Sequence, residues 1–468
     1  MNDLPELKSF YDYNWPLQNP NHKPFEHQIT TVKFLLTNQR AFVLNDLGTG
    51  KTLSALWTID ILLRMHKIEK VLVVSPLSTV QSVWGNEIFS NFPHLRYGIA
   101  HGSKEQRIKV IKSNTHIVII NFDGIKTCSD ELAKENFDII VIDELTAFKN
   151  AQADRSKVIK KISHACKSVF GMTGLVCPNS PTEAWSQGRI INPSSPYLPR
   201  YYGQFRDQVV MEIMQGVFVP KPGSDAIVHR ALQPAIRFTR EECLDLPDLF
   251  SSEIEVSMTA NQIKMYKKMK EDLYLKHQKG EITASNAGVM LMKLLQITAG
   301  AVKDDEGNIV YCDADNKITS ILETFDNLGQ TKLIVVAAFR AVVERLNEIF
   351  LSKKIRSNYI HGGVPAKQRP NIIDNFQNGD GQILVFQPAS SAHGITLTAS
   401  STIVWHSLVA SGEVYNQFCA RIRRAGQTKK QYIQHLLSSP AEKRLMSILK
   451  NKTTLSAGIM NMFANQEL

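Results

Sequence analysis

The sequence predicts an α/β fold of two lobes, each a parallel sheet flanked by helices, and three observations lead there. Short β-branched runs, apolar on both faces, alternate with amphipathic stretches, the pattern of buried parallel strands between helices. These runs fall into two series separated by an irregular middle. The chain has 468 residues, 43% hydrophobic and 21% charged, a folded composition too long for one typical domain.

The first series comprises AFVLN from Ala41, KVLVVSP from Lys70, HIVIIN from His116, DIIVIDE from Asp138 and SVFGMTG from Ser168. Between about residues 192 and 250 the chain turns rich in Pro, Tyr and Gly with weak periodicity, which predicts an irregular insertion (about 192–236) and a connection between lobes. A lysine-rich stretch follows, with Lys264, Lys267, Lys268, Lys270, Lys276 and Lys279, and reads as a solvated helix face. The second series is KLIVVAAF from Lys332, SNYIHG from Ser357, QILVFQ from Gln382, STIVWHS from Ser401 and QYIQHLL from Gln431. The expected division is residues 1–240 for the first lobe and 241–468 for the second, the latter carrying the lysine-rich helical segment at about 258–300.

The net charge of +10 favours polyanionic partners. Cys128, Cys166, Cys177, Cys243, Cys312 and Cys419 are scattered without a C-x-x-C pair, which argues for reduced thiols rather than a disulfide framework or metal site. His101, His361 and His406 lack partners at metal spacing and read as ordinary loop or strand-end residues. The amino terminus has no leader pattern, and no apolar run approaches the roughly 18 residues that span a bilayer. A cytoplasmic protein with no membrane partner is expected.

Chemistry enters after the first strand. Asn45-Asp46-Leu47-Gly48-Thr49-Gly50-Lys51-Thr52 runs straight into an amphipathic helix. Gly48, Thr49 and Gly50 would turn backbone N–H groups toward a phosphate at the helix amino terminus. Lys51 would neutralise the β- and γ-phosphates of ATP, and the Thr52 hydroxyl would ligate Mg²⁺. The first glycine of G-x-x-x-x-G-K-[ST] is replaced by Asn45. FDIIVIDEL supplies the complementary acids at a strand end: Asp143 to hold Mg²⁺ through water, and Glu144 to polarise the attacking water as general base.

From about Pro24 to Leu437 the motifs, in order, resemble those of superfamily 2 helicases and, within them, the Swi/Snf-type translocases. Pro24-Phe25-Glu26-His27-Gln28 is similar to the family's glutamine motif, in which Gln28 would read adenine. VLVVSPLSTVQSVWGNEI, with Ser78, Trp84 and Glu87, resembles "CPLSLLxNWxxEF", and Asp143-Glu144-Leu145-Thr146 with Lys149-Asn150 resembles "DEAH…KN". GMTGLVCPNSPTEAW is similar to "LTGTPIQN", and Arg237-Phe238-Thr239-Arg240 with Leu246-Pro247 to the junction "RRxK…LP". Two departures stand out: Thr146 for the family's His, and Leu175-Val176 for Thr-Pro.

In the second half, Lys332 to Phe339 resembles "KVLIFSQF", Tyr359 to Gly363 with Arg369 resembles "DGSTSxxxR", and SSAHGITLTAS resembles "AGGxGLNLTAAD", keeping Gly394. Gln417-x-x-x-Arg421-x-x-Arg424-x-Gly426-Gln427 matches "QxxxRxxRxGQ". That spacing puts 417, 421 and 424 on one face if the segment is helical. Arg421 and Arg424 would then act as arginine fingers on the γ-phosphate.

The resemblance implies two RecA-like lobes with the ATP site in the cleft between them, and nucleotide contacts from Gly394 and Gln417. It also implies nucleic-acid contacts at Ser78, Asn121, Arg340, Thr396 and Thr398. The function so implied is an ATP-dependent translocase on duplex or branched DNA, compact in form and of phage or bacterial type, acting in the cytoplasm of a bacterial or infected host cell in replication, recombination or defence. Protein partners are not legible. The alternatives are a helicase that separates strands of forked DNA or works on RNA, and a non-catalytic nucleic-acid-binding module.

Overall fold

The computed structural model describes residues 4–17, 23–214, 217–243, 247–278, 284–304, 306–365, 367–388, 395, 397–424 and 427–451. The described residues divide into two compact units, one up to residue 245 and the other from 246 onward.

The first unit is built on strands β1 (Arg40–Val43), β2 (Val71–Ser75), β3 (Tyr97–Ala100), β4 (Ile117–Asn121), β5 (Ile139–Asp143) and β6 (Ser168–Met172). A hairpin β7 (Val210–Met214) and β8 (Val217–Pro220) follows, then β9 (Ala235–Ile236). Seven of these form one sheet in the order β3-β4-β2-β5-β6-β1-β9, and every pairing in it is parallel. β2 and β4 are buried along their whole length, because their side chains alternate into two separate apolar layers. Leu72, Val74, Val118, Ile120, Ile140 and Ile142 face one layer; Val71, Val73, Ile117, Ile119, Ile139 and Val141 face the other.

The second unit has β10 (Leu249–Glu255), a small hairpin β11 (Ala301–Lys303) and β12 (Ile309–Tyr311), then β13 (Leu333–Val336), β14 (Ser357–Ile360), β15 (Ile383–Phe386), β16 (Thr402–Trp405) and β17 (Gln431–Leu437). Its main sheet runs β10-β17-β16-β13-β15-β14, again with every pairing parallel. Ile334, Val336, Leu384, Phe386 and Ile403 pack on one side of it; Leu333, Val335, Ile383, Val385 and Val404 pack on the other.

In a parallel α/β sheet all strand carboxyl ends share one edge, and ligands bind outside that edge. The loops that leave β1, β5 and β6 therefore converge, which positions the site described below.

The stretch expected to be irregular is more ordered than its composition suggests. It contains helix Tyr202–Val209, the β7–β8 hairpin, helix Ser224–Ala231 and β9. The hairpin escapes pattern recognition because apolar residues on both of its faces are exposed, Met211, Ile213 and Phe218 among them. The lysine-rich stretch forms helix Ala260–Gln278, with Lys264, Lys267, Lys268 and Lys270 exposed. Among the described residues no helix is long and apolar enough to cross a membrane.

Candidate functional site

β1 delivers the chain into a loop that ends at Gly50, the N-cap of helix Lys51–Arg64. Gly48 (φ 86°) and Gly50 (φ 79°) take left-handed backbone conformations that cost other residues strain. Gly50 offers no side-chain cap, so the first-turn N–H groups keep their anion-binding capacity. A Cβ at Gly50 would lie 2.1 Å from Gln28 Nε2, so the Gln28 amide rests against the loop. Gln28 Oε1 accepts from the Phe25 N–H at 3.0 Å, fixing it at the start of helix Glu26–Thr37.

His27 approaches the same loop, with Nε2 2.8 Å from the Thr49 carbonyl. Burial lowers the His27 pKa, which favours the neutral ring with its proton on Nε2 facing that carbonyl. Thr49 Oγ1 donates to the Asp46 carbonyl at 2.8 Å. The Lys51 amine donates to the carbonyls of Asn45 (2.7 Å) and Asp46 (2.8 Å). Burial pushes the Lys51 amine down to about 8, against the pull of the Glu144, Asp143 and Asp46 carboxylates.

Two strands away, β5 ends on Asp143, whose Oδ2 accepts from Trp84 Nε1 at 2.9 Å. Glu144 follows in a left-handed conformation (φ 58°, ψ 61°), which re-aims the side chain out of the strand direction. Its Oε1 accepts from Thr146 Oγ1 at 3.0 Å and Thr173 Oγ1 at 3.3 Å, the latter just beyond β6. Thr146, where the resemblance has His, thus serves the Glu144 carboxylate directly. The Thr52 hydroxyl at the helix start and the Asp143 carboxylate are hard oxygen donors, the set that Mg²⁺ takes.

The remaining expected residues lie apart from this cluster in the chain. In the first unit, Ser78 is half-buried past β2. Asn121 ends β4 and is turned inward, its Oδ1 accepting from Arg107 at 2.8 Å. In the second unit Arg340 begins helix Arg340–Ser352, exposed, with Nε on Glu344 at 3.0 Å. Thr398 is half-buried, and its carbonyl accepts from Gln427 Nε2 at 3.2 Å. Gly394 and Thr396 lie outside the described residues.

The expectation that residues 417, 421 and 424 share one helix face needs correction. Helix Gly412–Cys419 includes Gln417 but is capped at Ala420, and Arg421 and Arg424 follow in turns and bends. The reason is local. The Arg421 carbonyl is taken by the Leu397 N–H (3.1 Å) rather than by a next helical turn, and the buried guanidinium reaches the Ile395 carbonyl at 3.0 Å. Burial lowers the Arg421 pKa, to about 9.

Sequence reasoning overlooked His27, although it lies inside the quoted glutamine motif. Trp84 was quoted without its partner Asp143 and Arg237 without Asp46, because the strand order that sets β2 beside β5 and β9 beside β1 is not written in any local pattern.

The model of the SNF2-related domain matches residues 27–303, more than half of the chain, and that of the helicase conserved C-terminal domain matches residues 316–426. A putative protein p41 of Acyrthosiphon pisum secondary endosymbiont phage 1 is 26% identical over 445 residues, 89% of this chain and 92% of that protein. An uncharacterized ATP-dependent helicase of Mycoplasma genitalium is 25% identical over 91% of this chain, which spans 40% of that protein. The DNA annealing helicase and endonuclease ZRANB3 of Bos taurus is 22% identical over 94% of this chain, again spanning 40% of the relative. Among solved structures, the Sulfolobus solfataricus SWI2/SNF2 ATPase core in complex with dsDNA aligns with a TM-score of 0.46 and 21% identity, over 95% of this chain and 94% of that one.

Proposed function

The chain belongs to the SNF2-related family, and from that premise we propose that it is an ATP-driven motor that translocates along duplex or branched DNA. The observation that carries the reading is the convergence, at one sheet edge, of a glycine loop with Lys51 and a strand end with Asp143 and Glu144, close enough that both carboxylates act on the Lys51 amine.

In this reading Gln28 meets the adenine, and the N–H groups from Gly48 to Thr52 hold phosphate oxygens. Lys51 leaves its two loop carbonyls to neutralise the β- and γ-phosphates. Thr52 and, through water, Asp143 hold Mg²⁺, which supplies charge neutralisation on the phosphates. Glu144, steadied by Thr146 and Thr173, orients and deprotonates the attacking water. Arg421 and Arg424 act on the γ-phosphate as fingers, and Gln417 and Gly394 assist at the nucleotide. DNA is held through its phosphates, with Ser78, Asn121, Arg340, Thr396 and Thr398 as contacts. The names of the phage and bacterial relatives support action in the cytoplasm of a bacterial or infected host cell.

A second reading, strand separation at a fork, draws support from one feature. The β7–β8 hairpin stands exposed on both faces with Met211, Ile213 and Phe218 outward, as an apolar wedge would.

Steady-state ATPase assays without nucleic acid and with duplex DNA, forked DNA, single strands or RNA separate these readings. Stimulation by duplex DNA that weakens with added salt is expected. Glu144→Gln should lower kcat by roughly 10²- to 10⁴-fold. Stimulation only by forks or single strands would transfer the assignment to a helicase, and an unchanged rate in Glu144→Gln would remove the catalytic reading.

A further inference from the structure

The phosphate loop is bonded on its far side to the segment that leads toward the second unit. The Leu44 N–H donates to Ile236 O (2.8 Å) and the Asp46 N–H to Phe238 O (3.0 Å), extending the β1–β9 pairing into the loop. Asn45, at the place of the absent glycine, accepts from the Phe238 N–H at Oδ1 (3.0 Å). Charge then reinforces the ladder. Arg237 Nη1 donates to Asp46 Oδ1 and to Leu44 O, both at 2.9 Å, with the arginine side chain 7% exposed and the carboxylate 20%. Asp46 Oδ2 accepts from the Arg240 N–H at 3.1 Å, and Arg240 Nε donates to Leu47 O at 3.0 Å.

Both oxygens of Asp46 are therefore engaged by residues 237–240. The carbonyls that hold Lys51 belong to Asn45 and to Asp46 itself. Charge-assisted bonds at low exposure are stiff, so a displacement of residues 237–240 is passed to the loop residues 44–47, the two carbonyls that hold Lys51 among them. Five residues beyond Arg240 the first unit ends.

We propose that Asp46 is a positioning residue: clasped by Arg237 and Arg240, it fixes the carbonyls that hold Lys51 and so sets both the ATP affinity of the loop and the response of hydrolysis to DNA. The inference rests on the reading that Lys51 binds the phosphates of ATP. Asp46 is not catalytic in this account, since it acts through Lys51 and the loop backbone.

The test uses the full chain, with Asp46→Ala, Asp46→Asn, Arg237→Lys and the double variant Asp46→Ala/Arg237→Lys beside wild type and Lys51→Ala. KM for ATP, kcat with and without duplex DNA, and melting temperature are measured for each. Asp46→Ala should raise KM about tenfold and cut stimulation by DNA several-fold, while basal kcat changes less than about threefold. Asp46→Asn keeps the shape and an acceptor and should show about a third of that effect. Arg237 meets the loop at Asp46 and at the Leu44 carbonyl, so the effect of the double variant should fall short of the sum of the two single effects.

Wild-type KM and stimulation in Asp46→Ala, with Lys51→Ala inactive, would overturn the clasp and leave the motor reading intact. Equal loss of kcat, affinity and melting temperature in every variant would reduce Asp46 to a fold-maintaining role and likewise overturn it. An active Lys51→Ala would remove the motor reading and the clasp together.

Discussion

Lys51 carries the most direct pH signature in the molecule. Its amine is pushed down to about 8 by burial, whereas the exposed group titrates near 10.5. Between those values the unfolded chain binds more protons than the folded one, so this residue lowers stability below about pH 8 and the penalty is relieved as pH rises toward 10.5. Phosphate binding needs the charged form, so kcat/KM for ATP should fall about tenfold per pH unit above about 8, and the limb should vanish in Lys51→Arg, whose charge does not titrate there. A pH–rate profile from 6 to 10 checks this; a flat profile in wild type would contradict it. The loop, the lysine and the acid pair were readable in the sequence because their chemistry demands a fixed local spacing. The left-handed backbone of Glu144 was not, since Glu carries no bias toward that conformation and the turn is imposed by what surrounds it.

Elements were legible in proportion to their burial. β2, β4, β5, β13 and β15 each lie under a run of β-branched residues because both faces are covered. β10 and the β7–β8 hairpin were missed: their exposed faces tolerate Ser, Glu and Met alike, so no pattern is selected. The helix that carries Gln417 was legible in kind but overextended, since the bonds that stop it come from Leu397 and Ile395, about 25 residues away in sequence. Gln427 secures this terminus: its buried amide reaches the carbonyls of Thr398, Ser400 and Ile422 at 3.2 to 3.3 Å. Gln427→Leu strips those carbonyls of a donor and should destabilise the second unit by about 1–3 kcal/mol, read by thermal denaturation. A melting curve identical to wild type would show that the amide is dispensable.

At the scale of the whole molecule, each unit has its own pair of apolar layers, so two unfolding transitions are expected rather than one. The second unit also contains a buried ion pair between Lys317 Nζ and Glu442 Oε1 at 2.6 Å, with the two side chains 2% and 1% exposed. Glu442→Gln leaves the ammonium without its counter-charge in a dry site and should cost that unit about 3–5 kcal/mol. Calorimetry should show one transition moving down while the other stays; movement of both would mean that the units unfold as one. The two-lobe plan itself was readable from the repeated series of strands, whereas this ion pair was not, because nothing local links residue 317 to residue 442.

The pairing of β10 with β17 has a consequence for synthesis on the ribosome. The first strand of the second sheet finds its hydrogen-bonding partner only after roughly 180 further residues have been made. The first sheet is complete in sequence by β9 and is free to form early. A nascent second half must therefore carry Leu249 and Phe250 on an unpaired edge until Tyr432 arrives to stack on Phe250, an interval in which that edge is the segment most open to chaperones and to neighbouring chains.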